Sequence, residues 1–295
     1  MDDFVTSDTA NPSITKLRDR IARFWDELSR AEKSVCRVLS STSAEHLLYS
    51  SAADLGQQSK TSNATVVRTL QSLGYSGLSE LKQEIAAPLT STVSPEVRLQ
   101  HRINHLGQDL NRIQAEIWAE AQGLLEVGKG ANSSDTFASA INILVRSNTI
   151  YCYGLGSSAV AADHLAIRLG RTGIPTRRLS TDGFRLADEI LHFGAQDTLI
   201  IFSPGRKTRD IEALIDQVQL VGGSTILVTD HLHEKLSQNV SVVLRAPLTP
   251  TGLTSDSFTA VIVGDILAQG ITAVGPDIAL RSSHVLNDIR TRLGY

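Results

Sequence analysis

Cysteine is nearly absent from these 295 residues, with Cys36 and Cys152 far apart, no C-x-x-C spacing and no histidine cluster beside either. That scarcity excludes a disulfide framework and a zinc site, and both thiols are expected as small buried hydrophobes. Long apolar runs are also missing: none approaches the roughly 18 residues of a membrane-spanning helix, so no insertion is expected. A large charge of either sign is lacking, since 28 Lys and Arg against 31 Asp and Glu leave −3. This argues against a general basic coat for nucleic acid but leaves room for a small DNA-contacting surface. Internal repeats at solenoid period and low-complexity tracts are absent too. Met1-Asp2-Asp3-Phe4 is acidic and polar where an export signal is basic and then apolar, so a cytoplasmic protein is expected. What is present is 41% hydrophobic residues. At about 150 residues per domain, the length allows roughly two domains.

Two textures divide the chain. In the first, Ile14, Leu17, Ile21, Phe24, Trp25 and Leu28 follow helical spacing along one face. Ser29-Arg30-Ala31-Glu32 is a capping-box pattern ahead of Val35, Val38 and Leu39, and Ser51-Ala52-Ala53-Asp54 repeats the start signal. Pro88 to Pro95, rich in Ser and Thr, is expected as a linker, followed by one connecting helix from Pro95 to about Gly128. Beyond it, β-branched runs alternate with helical stretches: Thr149–Tyr153, Thr176–Leu179, Asp197–Phe202, Ser224–Thr229 and Val240–Leu244. Strands separated by helices indicate βαβ units and a parallel sheet. The tail from Ser255 to Leu293 is helical in pattern and apolar, fit to cover the sheet edge or to pair with another subunit.

A helix over Ser51 to Gln58, a tight connection at Ser59-Lys60-Thr61 and a second helix from Ser62 to Leu73 have the spacing of a helix-turn-helix. In that arrangement the second helix enters the major groove N-terminus first. Val66, Leu70 and Leu73 take the inward face, which leaves Asn63, Thr65, Arg68 and Thr69 outward. Asn suits adenine edges, and Arg suits guanine edges or phosphates. Within 57–82 the basic residues Lys60, Arg68 and Lys82 face Glu80 alone. Spacing by itself equally describes a solvated helix face.

Ala53-Asp54-Leu55, Ser62-Asn63-Ala64-Thr65-Val66-Val67-Arg68 and Leu73-Gly74-Tyr75-Ser76-Gly77-Leu78-Ser79-Glu80-Leu81-Lys82 resemble the helix-turn-helix of RpiR-type transcriptional regulators. The resemblance implies DNA contact through Lys60, Ser62, Asn63, Thr65, Arg68 and Thr69. One departure stands between the helices, where the family usually has Gly-Val and this chain has Lys60-Thr61. A non-glycine residue at a turn that requires positive φ carries strain.

Thr149 to Tyr153 runs into Gly154-Leu155-Gly156-Ser157-Ser158-Ala159 and then a helical stretch. A glycine turn leading into a helix N-terminus gathers free N–H groups and the positive end of the helix dipole, so phosphate is its natural guest. The turn also satisfies the dinucleotide fingerprint, with Asp182 standing 28 residues after Gly154, later than that motif expects. Ser157 and Ser158 add hydroxyls, and Ser203-Pro204-Gly205-Arg206-Lys207-Thr208 follows the third strand, where open α/β sheets collect ligands.

This pair of loops resembles the SIS (sugar isomerase) domain that RpiR-type regulators carry. By position, Gly154, Gly156, Ser157, Ser158, Ser203, Gly205, Arg206 and Thr208 are implied as phosphosugar-binding residues. The second loop departs from the commonest pattern: Pro204 replaces a serine and Thr208 comes one residue late. More positive charge there favours a more acidic ligand such as a sugar-acid phosphate.

The expected fold is an N-terminal all-α helix-turn-helix domain (1–90), a linker and connecting helix (91–128) and an α/β SIS domain (129–295). The SIS domain is expected as a five-stranded parallel sheet in three αβα layers. The resemblance implies a regulator of sugar or sugar-acid metabolism genes, with no enzymatic activity, no cofactor and no metal. A homodimer or homotetramer on an inverted-repeat operator of double-stranded DNA is expected, because one helix-turn-helix reads few base pairs. Two other readings stand: a phosphosugar isomerase or lyase, with His192, His231 or His233 as base, and a dinucleotide-binding protein.

Overall fold

The computed structural model describes residues 11–92, 95–205 and 207–295 and divides the chain into two compact units. The first comprises residues up to Val127 together with Thr249–Thr254, and the second Gly128–Leu248 with Ser255–Tyr295.

The first unit is helical: α1 (Pro12–Phe24), α2 (Arg30–Ser41), α3 (Ala44–Tyr49), α4 (Ala52–Ser59), α5 (Asn63–Ser72), α6 (Leu78–Thr92), α7 (Pro95–Leu106) and α8 (Leu110–Lys129). Local chemistry sets the starts. Ser29 with Glu32 and Ser51 with Asp54 form full capping boxes, and Asn11, Ser43 and Ser62 each accept a backbone N–H of the helix that follows. Ile14, Leu17, Val35, Leu39, Leu55, Val66, Leu70 and Leu81 build one buried core. Of the stretch expected as a linker, Pro88 to Thr92 is helical as the end of α6, and residues 93 and 94 lie outside the described residues. A helix already nucleated over its apolar first turns propagates into poor helix formers. The single connecting helix is in fact two. Gly107 takes φ +59° after α7, and the Asp109 carboxylate accepts from the N–H groups of Asn111 and Arg112 to start α8.

The second unit begins with α9 (Ser134–Val145), then β1 (Ile150–Gly154), α10 (Ser158–Arg171), β2 (Thr176–Leu179), α11 (Gly183–Ile190), β3 (Thr198–Phe202) and α12 (Arg209–Val221). It continues with β4 (Ser224–Thr229), α13 (His233–Leu236), β5 (Val242–Arg245), α14 (Phe258–Val274) and α15 (Pro276–Arg292). The five strands pair in parallel in the order β2-β1-β3-β4-β5. β1 and β3 are buried along their whole length, as parallel strands covered on both faces must be. Successive residues point to opposite faces. Cys152, Ile200 and Ile226 join α9, α10 and α14 in one core, and Tyr151, Tyr153, Leu199 and Leu227 join α11 and α12 in the other. The result is three αβα layers. α14 thus covers a sheet face and not the sheet edge, burying Val263, Leu267, Ala268 and Ile271. No single helix among the described residues is long and apolar enough to cross a membrane.

Candidate DNA-reading and anion-binding sites

α4 and α5 are joined by the three residues Lys60, Thr61 and Ser62, of which Lys60 adopts φ +57° and ψ +40°. This left-handed residue lets the N–H groups of Lys60 and Thr61 return to the carbonyls of Gln57 and Gly56, closing the end of α4. An added Cβ on Gly56 would lie 3.0 Å from the Thr61 carbonyl oxygen, so glycine lets the turn fold tightly back on α4. The Ser62 hydroxyl then accepts from the Thr65 N–H at 3.2 Å and starts α5.

Val66, Leu70 and Leu73 are fully buried. Lys60, Ser62, Asn63 and Arg68 are exposed and Thr65 is half-buried. Two residues of the basic, polar surface turn inward instead. Thr69 is 0% exposed and its hydroxyl donates to the Thr65 carbonyl at 2.7 Å, so it is a core residue and cannot touch DNA. Its place between Val66 and Leu73 on the helix wheel, three residues after one and four before the other, puts it on the core side, where a threonine is held by bonding back to its own helix. Lys82 is part-buried and lines a separate, partly open pocket, so it adds no charge to the face that presents Lys60 and Arg68.

In the second unit, the order β2-β1-β3 reverses the direction of chain progression between β1 and β3. α10 leaves β1 toward one face and α12 leaves β3 toward the other, which opens a crevice at the carboxyl ends of these two strands. The loops after β1 and β3 flank it.

Gly154 ends β1 where a Cβ would come within 2.6 Å of the Ser158 carbonyl oxygen, so only glycine lets α10 start this close to the strand. Gly156 follows with φ +57°. Ser157 is exposed and makes no capping bond to α10, whereas Ser158 is buried at the first turn. Ser203 is buried and its N–H donates to Val228. Gly205 lies against His231, with 3.2 Å between an added Cβ and the ring Cδ2. Arg206 lies outside the described residues. Thr208 caps α12, its hydroxyl oxygen accepting from the Ile211 N–H at 3.3 Å. Lys207 pairs with Glu212 at 2.6 Å, so its charge is already engaged.

Three residues outside the expected ligand-binding set stand at the ends of these strands. The Arg178 guanidinium donates to the carbonyls of Gly154 and Cys152 and to the Asp163 carboxylate, tying β2 to the glycine turn and α10. The Asp210 carboxylate accepts from the Tyr153 hydroxyl at 3.4 Å and the Gly183 N–H at 3.3 Å, joining the ends of β1, β2 and β3. Burial, with Asp210 beside it, pushes the Tyr153 phenol well up, so this tyrosine remains protonated. Thr181 has a buried hydroxyl with no hydrogen-bond partner among the described residues. None of the three belongs to a glycine or hydroxyl motif, and only strand pairing brings them there. Of the histidines, His192 is exposed and His233 Nδ1 lies 3.0 Å from the Asp230 carbonyl oxygen. His231 Nε2 is 3.7 Å from Oδ2 of the buried Asp230.

Comparison with known proteins places two families along the chain. Residues 15–92 match the helix-turn-helix domain of the rpiR family, and residues 143–268 match the SIS domain. The bifunctional protein glk of Paraburkholderia xenovorans (strain LB400) is 26% identical over 81% of this chain and 36% of its own length. The chain thus spans about a third of the curated relatives of that name. An HTH-type transcriptional regulator of Escherichia coli (strain K12), YfhH, is 25% identical over 75% of this chain and 78% of its own. Among solved structures, NanR of Vibrio vulnificus, complexed with ManNAc-6P, aligns over 95% of this chain and 98% of its own at 20% identity and a TM-score of 0.55, a likeness of fold.

Proposed function

From a chain that joins an rpiR-family helix-turn-helix domain to a SIS domain, we propose a DNA-binding transcriptional regulator of sugar or sugar-acid metabolism genes, controlled by a phosphorylated sugar. The observation that carries this reading is the coexistence, in one chain, of a capped helix with an exposed polar start and a glycine turn that delivers a helix N-terminus to the β1/β3 crevice. The first suits the major groove and the second a phosphate. NanR, similar in fold, is complexed with a sugar phosphate, which supports the same ligand class here.

In this reading, residues 1–90 hold the DNA-reading part, 91–128 connect and 129–295 sense the ligand. Lys60, Ser62, Asn63, Thr65 and Arg68 contact DNA. Gly154, Gly156, Ser157 and Ser158 receive the phosphate, with Ser203, Gly205 and Thr208 opposite, and Arg206 is assigned to the same ligand by its sequence position alone. Thr181 adds an unused hydroxyl for the sugar. Two copies of the chain place two reading heads on an inverted repeat, as a homodimer or homotetramer, and the protein works in the cytoplasm. The ligand acts by binding the DNA-competent and DNA-incompetent arrangements with different affinity.

The test is selection of bound fragments from sheared genomic DNA by the purified chain at fixed salt, beside Arg68→Ala, with and without a mixed phosphosugar pool. Enrichment of one inverted repeat, lost in the variant and altered by the pool, is the expected outcome, and no enrichment under any condition overturns the reading. A pool effect unchanged in Ser158→Ala and in Thr208→Ala removes the ligand-site assignment. The contact of His231 with Gly205 and its proximity to Asp230 favour a second reading, a phosphosugar isomerase or lyase. Turnover of a phosphosugar that disappears in His231→Ala would establish it.

A further inference from the structure

The first unit carries a partly open pocket of about 230 Å³ that belongs to neither site described above. At about 30 Å³ per water molecule it has room for roughly seven. Its wall is mainly apolar, with Leu78, Leu124 and Leu253 among the lining residues. Polar side chains interrupt that wall, among them the carboxylates of Glu116 and Glu120 and two nitrogen donors. Lys82 feels Glu120, Glu116 and Asp54 through charge alone, with no hydrogen bond among the described residues, and Gln83 Nε2 is buried without a partner. Burial lowers the Lys82 pKa against the raising influence of Glu120, Glu116 and Asp54.

The neighbouring carboxylates do not use these donors. Glu120 accepts from the hydroxyls of Thr249, Thr251 and Thr254 and from the Thr254 N–H. Glu116 takes Arg112 Nε at 2.8 Å and His105 Nε2 at 2.5 Å. Both acids are therefore satisfied by their own donors, while the nitrogens of Lys82 and Gln83 remain without acceptors. Buried donors without acceptors carry a desolvation penalty that a protein retains where a ligand removes it.

We propose that this cavity is a second ligand site, for a small monocarboxylic acid whose apolar body lies against the leucines and whose carboxylate accepts from Lys82 Nζ and Gln83 Nε2. One negative charge matches the ammonium. A phosphomonoester dianion brings a second charge against Glu116 and Glu120, and a free sugar brings hydroxyls that an apolar wall leaves unpaired. The site is independent of the phosphosugar crevice, so its failure leaves that reading untouched.

The test uses the full chain with three probes of one shape, benzoate, benzamide and phenyl phosphate, titrated by calorimetry with ligand-observed NMR. Benzoate is expected to bind in preference to the other two, and Lys82→Met to weaken it by at least about tenfold, the loss of one hydrogen bond to a charged group. Ala119→Phe, which fills the cavity from its wall, is expected to abolish binding. The melting temperature of Lys82→Met is expected to equal or exceed the wild-type value, because a buried ammonium without a partner is removed. Absence of benzoate binding overturns the proposal, as does equal affinity in wild type and Lys82→Met. A Lys82→Met protein that melts well below wild type also overturns it, because Lys82 then acts as a structural counter-charge for Glu116 and Glu120.

Discussion

Lys60 occupies a backbone conformation that glycine tolerates without penalty and that costs an L-residue with a side chain roughly 1–2 kcal/mol. It is the one non-glycine residue with positive φ among those described, and it stands at the turn ahead of the reading helix. Lys60→Gly is therefore expected to raise stability by about 1 kcal/mol, read from the urea midpoint at unchanged slope. In the same variant DNA affinity should fall, and the dependence of log K on log salt should lose about one unit, as expected for one missing phosphate contact. A stability gain without any change in DNA binding would confine Lys60 to a structural role. The two cysteines behave oppositely to a strained site: burial pushes the Cys36 thiol up to about 11 and Cys152 up to about 12, so both are inert packing residues.

At the scale of elements, helix starts carry the acid sensitivity of the first unit. The Ser29 hydroxyl and N–H hold the Glu32 carboxyl below its ordinary value. Burial pushes the Asp54 carboxyl up, but the Ser51 hydroxyl and N–H outweigh it and leave that carboxyl low as well. A carboxyl depressed in the folded state adds stability that is fully present above its unfolded pKa, near 4, and is lost as pH falls through the folded value. Melting of the protein followed by circular dichroism should change little from about pH 7 to 5 through these groups and decline below about pH 4. Ser29→Ala and Ser51→Ala should each lose about 1 kcal/mol near neutrality and flatten the acid limb. A decline of equal steepness in the double variant would place the acid sensitivity elsewhere. Capping was readable because it depends on residues three apart. The fate of Thr69 and Lys82 was not, because a helix wheel shows which face a residue is on but not what the rest of the chain packs against it.

At the scale of the molecule, α15 buries no residue, although Val285 is 57% and Ile289 46% exposed on one stripe of it. One helix-turn-helix reads few base pairs, so the proposed regulator needs a second copy, and the exposed apolar stripe of α15 is a natural surface for it. Val285→Lys together with Ile289→Lys should lower the sedimentation mass to that of a smaller assembly and weaken operator binding while leaving the circular dichroism of the chain intact. An unchanged mass would assign self-association to another surface.

Much of this architecture follows from local pattern. The strand positions, the Ser-capped helices and the glycine turn were legible because period, caps and φ requirements act over a few residues at a time. What depends on residues distant in the chain was settled by packing alone. The burial of Thr69 and the inward turn of Lys82 toward Glu116 and Glu120 belong to that group. So do the convergence of Arg178, Asp210 and Thr181 on the strand ends and the contact of His231 with Gly205. The physical reason is that a side chain's periodicity selects its face, whereas its neighbours, its partners and its charge state are set by whatever the fold brings against that face.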